Sequence, residues 1–304
     1  MARRKSKKNT KKLISIIIAI ILAFFAYEAK DIITENVDVS EFAKGDAIYV
    51  HFIDVGQGSS TLIQNGTSGI LIDAGEKDYG QVVIDYLNEV GIKSLEYVVA
   101  SHPHSDHIGG LDDVLYAFDV DTIIMPELEE FNTPTTRVYE DLLVAIDENN
   151  INAAFQDENP NGWYSLNNVE LITLGAAEQS DNLNDMSIVC RLSYISYSDT
   201  DSNSYTTILI PGDAEKDELK EMQFGKTDII AMPHHGSSTS IYKPFLDAVD
   251  ADVAVISCGA GNSYGHPHKE ALDYISANAM TCLRTDESGD IIFKVTDEGY
   301  SLVS

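Results

Sequence analysis

From residue 47 onward, short runs rich in β-branched and aromatic residues alternate with longer segments whose apolar positions recur every three or four residues. The short runs predict strands at 47–54, 60–64, 69–73, 96–100, 121–125, 169–174, 187–197, 204–210, 228–232, 252–256, 280–284 and 289–295. The helical period predicts helices at 79–91, 109–118, 135–149, 214–223, 241–249 and 268–277. Hairpins open the pattern, strand–helix units follow, and the alternation recurs in the second half. That order predicts an α/β (α+β) fold, with two mixed sheets face to face and helices outside. The polar stretch "SYSDTDSNSY" reads as an exposed hairpin tip.

The first 45 residues follow a different pattern. Residues 1–12 carry seven Lys or Arg and no acid, and residues 13–27, "LISIIIAIILAFFAY", are almost wholly apolar. A run of this length falls between a signal-peptide core and the roughly 20 residues that span a bilayer. With no A-x-A site after it, the reading is an uncleaved N-terminal membrane anchor in a single-pass protein; secretion after signal cleavage is the alternative. In both cases the basic flank stays in the cytoplasm and the remainder is extracellular. Residues 1–30 are thus a basic flank plus anchor, 31–45 a polar linker with little to pack, and 46–304 the globular domain.

Charge narrows the partners. The whole chain carries −29, but residues 31–304 hold 12 basic against 48 acidic residues, a net of −36. Such a surface repels a phosphate backbone and lacks a Lys/Arg footprint, so no tight binding to duplex DNA is expected. Cys190, Cys258 and Cys282 lie singly in apolar strand-like runs and read as buried small hydrophobes. Oligomeric state is not encoded in any pattern of this kind.

The candidate chemistry is concentrated in "SHPHSDHIGG", residues 101–110. A lone histidine is more often a capping or surface residue than a ligand, but three histidines and an aspartate in six positions point to metal. His102 and His104, two apart in an extended segment, face the same way. Asp106 and His107 follow a turn and face a second position, which gives two ligands to each of two ions.

This stretch resembles the H-x-H-x-D-H signature of the metallo-β-lactamase superfamily, whose fold is an αββα sandwich with a two-metal hydrolytic site. The resemblance extends over residues 47 to about 295. "FIDVGQGSS", "GILIDAG", "NDMSIVCRL", "ILIPGDAE", "DIIAMPHHGSSTS" and "VISCGAGNSYGHPH" are similar to motifs of the ComEC-type competence hydrolase domains, and several recur in extracellular phosphorylcholine esterases.

Carried over, the resemblance implies two divalent ions, Zn²⁺ or Mn²⁺. His102 and His104 would bind one, Asp106 and His107 the other, and Asp213 would bridge them. The last ligand matches His235 or His234, with His235 favoured; His234 would then contact phosphate or assist proton transfer. The motif departs from the family at the third histidine, where "NDMS" makes Asp185 the candidate ligand and a harder, Mn²⁺-tolerant site. Asp73 would orient a ligand histidine, and His266, beside Tyr264, would sit near substrate. Asp106, His234 and His266 are the catalytic candidates.

The implied reaction is hydrolysis of a phosphodiester, in single-stranded nucleic acid or a smaller molecule. A cell-surface phosphorylcholine-type esterase and a non-catalytic surface metal-binding module are the alternatives. Because only one short apolar run is present, the transport channel that accompanies this domain in the competence family is not expected.

Overall fold

The computed structural model describes residues 39–156, 162–176, 179–195 and 205–304. Within it, Val39–Leu302 forms one compact unit. Six strands come first: β1 (Ile48–Phe52), β2 (Thr61–Asn65), β3 (Ser68–Ile72), β4 (Ser94–Val99), β5 (Asp119–Pro126) and β6 (Asn152–Gln156). Seven more form the second sheet: β7 (Gly162–Leu166), β8 (Val169–Leu174), β9 (Val189–Ile195), β10 (Tyr205–Ile210), β11 (Ile229–Ala231), β12 (Val253–Ile256) and β13 (Thr281–Arg284). The chain then returns to the first sheet as β14 (Ile291–Thr296) and β15 (Gly299–Leu302).

The sheet orders are β15-β14-β1-β2-β3-β4-β5-β6 and β13-β12-β11-β10-β9-β8-β7. Both are mixed, as predicted: β3 to β6 run parallel beside antiparallel β1, β2 and β14, and β10 to β13 run parallel beside antiparallel β7, β8 and β9.

Side-chain alternation explains the continuous apolar runs. Ile208, Ile210, Ile229, Val253 and Val255 face the core between the sheets, where they meet Val50, Phe52, Ile63 and Phe293. Their neighbours Leu209, Ile230, Ala254 and Ile256 face outward and pack with Phe245, Leu246 and Val249 of the helix Lys243–Val249 and with Ala271 and Ile275 of the helix Lys269–Ala277. A strand covered on both faces can carry apolar residues at every position. On the first sheet Leu62, Leu71, Val98 and Ile123 are likewise fully buried. The helices Gly80–Glu89, Leu111–Ala117 and Arg137–Glu148, which bury Val83, Leu87, Val114 and Leu142, follow β3, β4 and β5 in the chain. The result is the expected αββα sandwich.

Several expectations change. Strands β6, β7 and β15 were not predicted; "NAAFQ", "GWYSL" and "GYSL" are sheet-edge or near-edge segments with one open face and too few apolar positions to show a period. The predicted helix 214–223 shrinks to Lys216–Leu219, and of the predicted span Ala214, Leu219 and Met222 join the core. The predicted helix 109–118 is preceded by a separate turn, Ser105–Ile108, and begins at Leu111. Gly109 and Gly110 separate the two because there is no room for side chains: a Cβ on Gly109 would lie 2.3 Å from Lys77 N and Ser105 O, and one on Gly110 2.5 Å from Ala74 O.

Cys190 and Cys258 are buried as read, but Cys282 is exposed, because β13 is the edge of its sheet and leaves one face open. Phe42, inside the expected linker, is 1% exposed and packs edge-on against Tyr49 and His51. Among the described residues no helix is long and apolar enough to cross a membrane. The expected anchor at 1–30 and most of the expected tip, 196–204, lie outside the described residues.

Candidate metal centre

The site side chains leave loops at the carboxyl ends of β3, β4, β10, β11 and β12, where the parallel strands point one way. His102, His104, Asp106 and His107 follow β4, Asp213 follows β10, His234 and His235 follow β11, and His266 follows β12.

Ligand atoms of Asp106, His107, Asp213 and His235 all lie within 4.8 Å of one another. His107 Nε2 is 3.0 Å from Asp213 Oδ1, and His235 Nε2 is 3.3 Å from Asp106 Oδ2 and 3.7 Å from Asp213 Oδ2. His102 and His104 adjoin this group. His102 Nε2 lies 3.1 Å from His104 Nδ1 and 3.8 Å from Asp213 Oδ2, which puts Asp213 between the two histidine sets.

His107 and His235 are each aimed from behind. His107 Nδ1 pairs with Asp73 Oδ2 at 2.7 Å, and Asp73 also accepts from Ser101 N–H (2.8 Å) and Ser101 O–H (2.6 Å). His235 Nδ1 donates to the Ser257 carbonyl at 2.9 Å. With Nδ1 committed, Nε2 carries the lone pair toward the cluster, the arrangement found behind metal-ligating histidines. His235 is set by an unusual backbone: His234, His235 and Gly236 are consecutive left-handed residues with φ 52°, 53° and 76°. Such conformations in non-glycine residues cost of order 1–3 kcal/mol each and collect at functional sites.

The donor set fits a divalent cation. His107 Nε2, His235 Nε2 and Asp213 Oδ1 are buried atoms that meet only other ligand atoms of the cluster and have no hydrogen-bond partner outside it. Leaving three such groups unmet in the interior is costly, and a shared cation would satisfy them together. The electrostatics agree. Burial works against charge on His107, yet the Asp213 and Asp73 carboxylates raise its pKa well above the ordinary imidazole value. Burial likewise opposes charge on His235, and Asp213 raises it. Asp213 is held well below the usual carboxylate range despite its burial, by the charges of His107 and His235. Asp106 is lowered against its burial by the His235 hydrogen bond. Burial and the neighbouring His107 keep His102 well below 6.5 and neutral. The metal-free cluster thus holds protons on His107 and His235 that a bound cation would displace.

A cleft of about 310 Å³ opens onto this cluster, lined by His104, Asp106, Asn184, Asp213, His234, His235 and His266 among others. His266 stacks between Tyr264 (5.6 Å) and His235 (5.9 Å), and burial next to His235 and His234 lowers its pKa to about 4. His234 is partly exposed, with Nε2 3.6 Å from Asp213 Oδ2 and Nδ1 3.2 Å from Glu215 Oε1. Of the two adjacent histidines, His235 therefore joins the cluster and His234 faces the cleft.

Asp185 is not brought to the site. Its Oδ1 accepts from Glu215 N–H and its Oδ2 from Asn182 Nδ2, each at 3.0 Å, and it lines a different cleft with Gln179, Ser180, Asp217 and Glu221. The turn that offers Asn184 to one side turns Asp185 to the other. Sequence reasoning missed Ser101, Asn184 and Glu215. Ser101 opens the decapeptide, but hydroxyls and amides are too common in loops to stand out singly.

Residues 53–172 match the family model described as the Metallo-beta-lactamase superfamily. The chain is 26% identical over 270 residues to ComE operon protein 3 of Bacillus subtilis (strain 168), which covers 81% of this chain and 33% of that protein. It is 29% identical over 249 residues to Recombination protein 2 of Haemophilus influenzae, covering 80% of this chain and 28% of that one. The chain thus spans about a third or less of the length of these relatives. Among solved structures, a beta-lactamase from Chitinophaga pinensis aligns with a TM-score of 0.43 and 13% identity, over 71% of this chain and 95% of that one. Residues 53–172, with Asp73 and the His102–His107 ligand cluster inside them, carry a metallo-beta-lactamase superfamily domain, and over most of its length the chain is similar to the ComEC-type competence proteins.

Proposed function

We propose that this protein is an exported, membrane-anchored, two-metal phosphodiesterase that cleaves single-stranded nucleic acid or a smaller phosphodiester. The observation that carries the reading is the convergence of His107 Nε2, His235 Nε2 and Asp213 Oδ1, all buried and without partners outside the cluster, beneath an open polar cleft. Divalent ions held by His102, His104, Asp106, His107, Asp213 and His235 would supply a water of lowered pKa and compensation for phosphoryl charge.

The protein's own groups do the rest. Asp213 sets the spacing between the two histidine sets. Asp106, at the cleft wall, orients the attacking water toward phosphorus. His234 and His266 face the cleft, where an imidazole N–H can donate to a non-bridging or departing oxygen as the P–O bond breaks. Glu215 holds His234 from its Nδ1 side. The net charge of −36 over residues 31–304 disfavours long duplexes, so short or single strands suit the cleft better. The similarity to Recombination protein 2 of Haemophilus influenzae supports a nucleic-acid substrate.

The test is hydrolysis by the purified chain, loaded with Mn²⁺ or Zn²⁺, of bis-p-nitrophenyl phosphate, single- and double-stranded oligonucleotides and p-nitrophenyl phosphorylcholine. Turnover of the first two substrate classes supports the proposal. Turnover of the choline ester alone supports the esterase reading instead, and none with any metal contradicts both. Location is tested separately: protease added to intact cells should remove the domain, and full protection would contradict export.

A further inference from the structure

Asn184 occupies the place where a family pattern leaves a gap. It is 9% exposed and lines the same cleft as His104, Asp213 and His234. Its amide is fixed in orientation: Nδ2 donates to Glu215 Oε1 at 3.1 Å, and a carboxylate can only accept, so the NH₂ group faces Glu215 and the carbonyl faces away. That carbonyl, Oδ1, is buried and has no partner. Glu215 is itself anchored by Thr239 O–H at 2.8 Å and by Asn182 Nδ2 at 3.4 Å, so a reversed amide would set its oxygen against a fixed carboxylate. Buried side-chain oxygens are rarely left unmet. The other orphaned atoms at or beneath this cleft are His266 Nδ1 and, in the centre described above, His107 Nε2, His235 Nε2 and Asp213 Oδ1.

We propose that Asn184, in place of Asp185, completes the His102/His104 side of the metal centre by offering Oδ1 as a neutral oxygen ligand. The inference rests on the two-ion reading above. Glu215 acts as a positioning residue, since it aims the Asn184 carbonyl from behind in the way Asp73 aims His107. Two imidazoles, a shared carboxylate and an amide oxygen make a mixed nitrogen and oxygen set, harder than three imidazoles and suited to Mn²⁺. Asp185 shapes the turn, because its oxygens are consumed by Glu215 N–H and Asn182.

The experiment titrates Mn²⁺ into the metal-free full chain in detergent, reading stoichiometry and affinity by calorimetry and elemental analysis, with near-ultraviolet circular dichroism as a check on folding. Loss of a partner behind a ligand typically weakens binding 10- to 100-fold, so loss of a direct ligand should cost no less. Asn184→Ala should weaken one of two Mn²⁺ sites at least tenfold, Asn184→Asp should bind as tightly as wild type or tighter, and Asp185→Ala should keep both affinities. Unchanged affinities in Asn184→Ala, or a tenfold loss in Asp185→Ala with none in Asn184→Ala, would overturn the assignment. If Asn184→Ala loses its near-ultraviolet signal, Asn184→Asp decides, and weaker binding than wild type overturns it. A wild-type chain that takes up only one ion contradicts the two-ion reading; Asn184→Ala then shows whether this residue holds that ion.

Discussion

Asp73→Asn isolates the effect of a carboxylate that touches no metal. Asp73 is 1% exposed, has φ 60°, and receives three hydrogen bonds, from Ser101 N–H, Ser101 O–H and His107 Nδ1. Asparagine has the same shape and tolerates the left-handed backbone, so the fold should survive. The hydrogen bonds lose their charge assistance, a change of about 1 kcal/mol each. With partial rearrangement of the Ser101 hydroxyl, the expected loss is about 2 kcal/mol, or roughly 4–8 °C in Tm for a domain of this size. The larger effect is chemical. If Oδ1 keeps Ser101 N–H, the new NH₂ group faces His107 Nδ1 and forces that nitrogen to accept. The imidazole proton then moves to Nε2, where the lone pair is needed. Metal affinity should fall 10- to 100-fold, about 1.4–2.7 kcal/mol. Calorimetric Mn²⁺ titration together with thermal unfolding separates the two effects. Affinity within twofold of wild type, in a variant that is folded, would refute the claim that Asp73 sets the His107 tautomer.

Three further outcomes follow from the same geometry. His107 and His235 have raised pKa values in the metal-free fold, so their contribution to stability is present below the ordinary value of 6.5 and is lost as pH rises through the folded values. Asp213→Ala should therefore destabilise the metal-free chain more at pH 6 than at pH 9, and wild-type metal affinity should rise from pH 6 to pH 8 with proton release; a pH-independent affinity would contradict this. Phe42→Ala should cost about 3–5 kcal/mol in urea unfolding, because the ring is buried against Tyr49 and His51; a loss under 1 kcal/mol would return residues 39–45 to the status of a linker. His266→Ala should keep two bound ions and lower turnover by about 10²–10⁴-fold if it transfers a proton, whereas loss of an ion would make it a ligand.

The sequence made the two mixed sheets legible because most strands are covered on both faces and write their apolar residues without interruption, as in "TDIIAMP" and "ADVAVIS". The edge strands β6, β7 and β15 were hidden for the converse reason: an open face admits Asn152, Ser165 and Ser301, and the period dissolves. At the site, the His102–His107 cluster was readable because its ligands are close in sequence, and Asp213 and His235 because each follows a strand within a recognisable motif. Asp185 and Asn184 are adjacent letters in one turn, and only the direction of the backbone decides which faces the cleft. Spacing carries no information about that direction. Glu215 was missed for a related reason, since its four partners, Asn182, Asn184, His234 and Thr239, come from two separate loops.

Asp213 lies at the junction of both ligand sets, 3.0 Å from His107, 3.7 Å from His235 and 3.8 Å from His102. The most direct test of the account is elemental analysis beside bis-p-nitrophenyl phosphate turnover for reconstituted wild type and Asp213→Ala. The account predicts two divalent ions per wild-type chain with measurable turnover, and loss of both ion binding and hydrolysis in a still-folded Asp213→Ala. Fewer than one ion per wild-type chain, or wild-type turnover in Asp213→Ala, would contradict it.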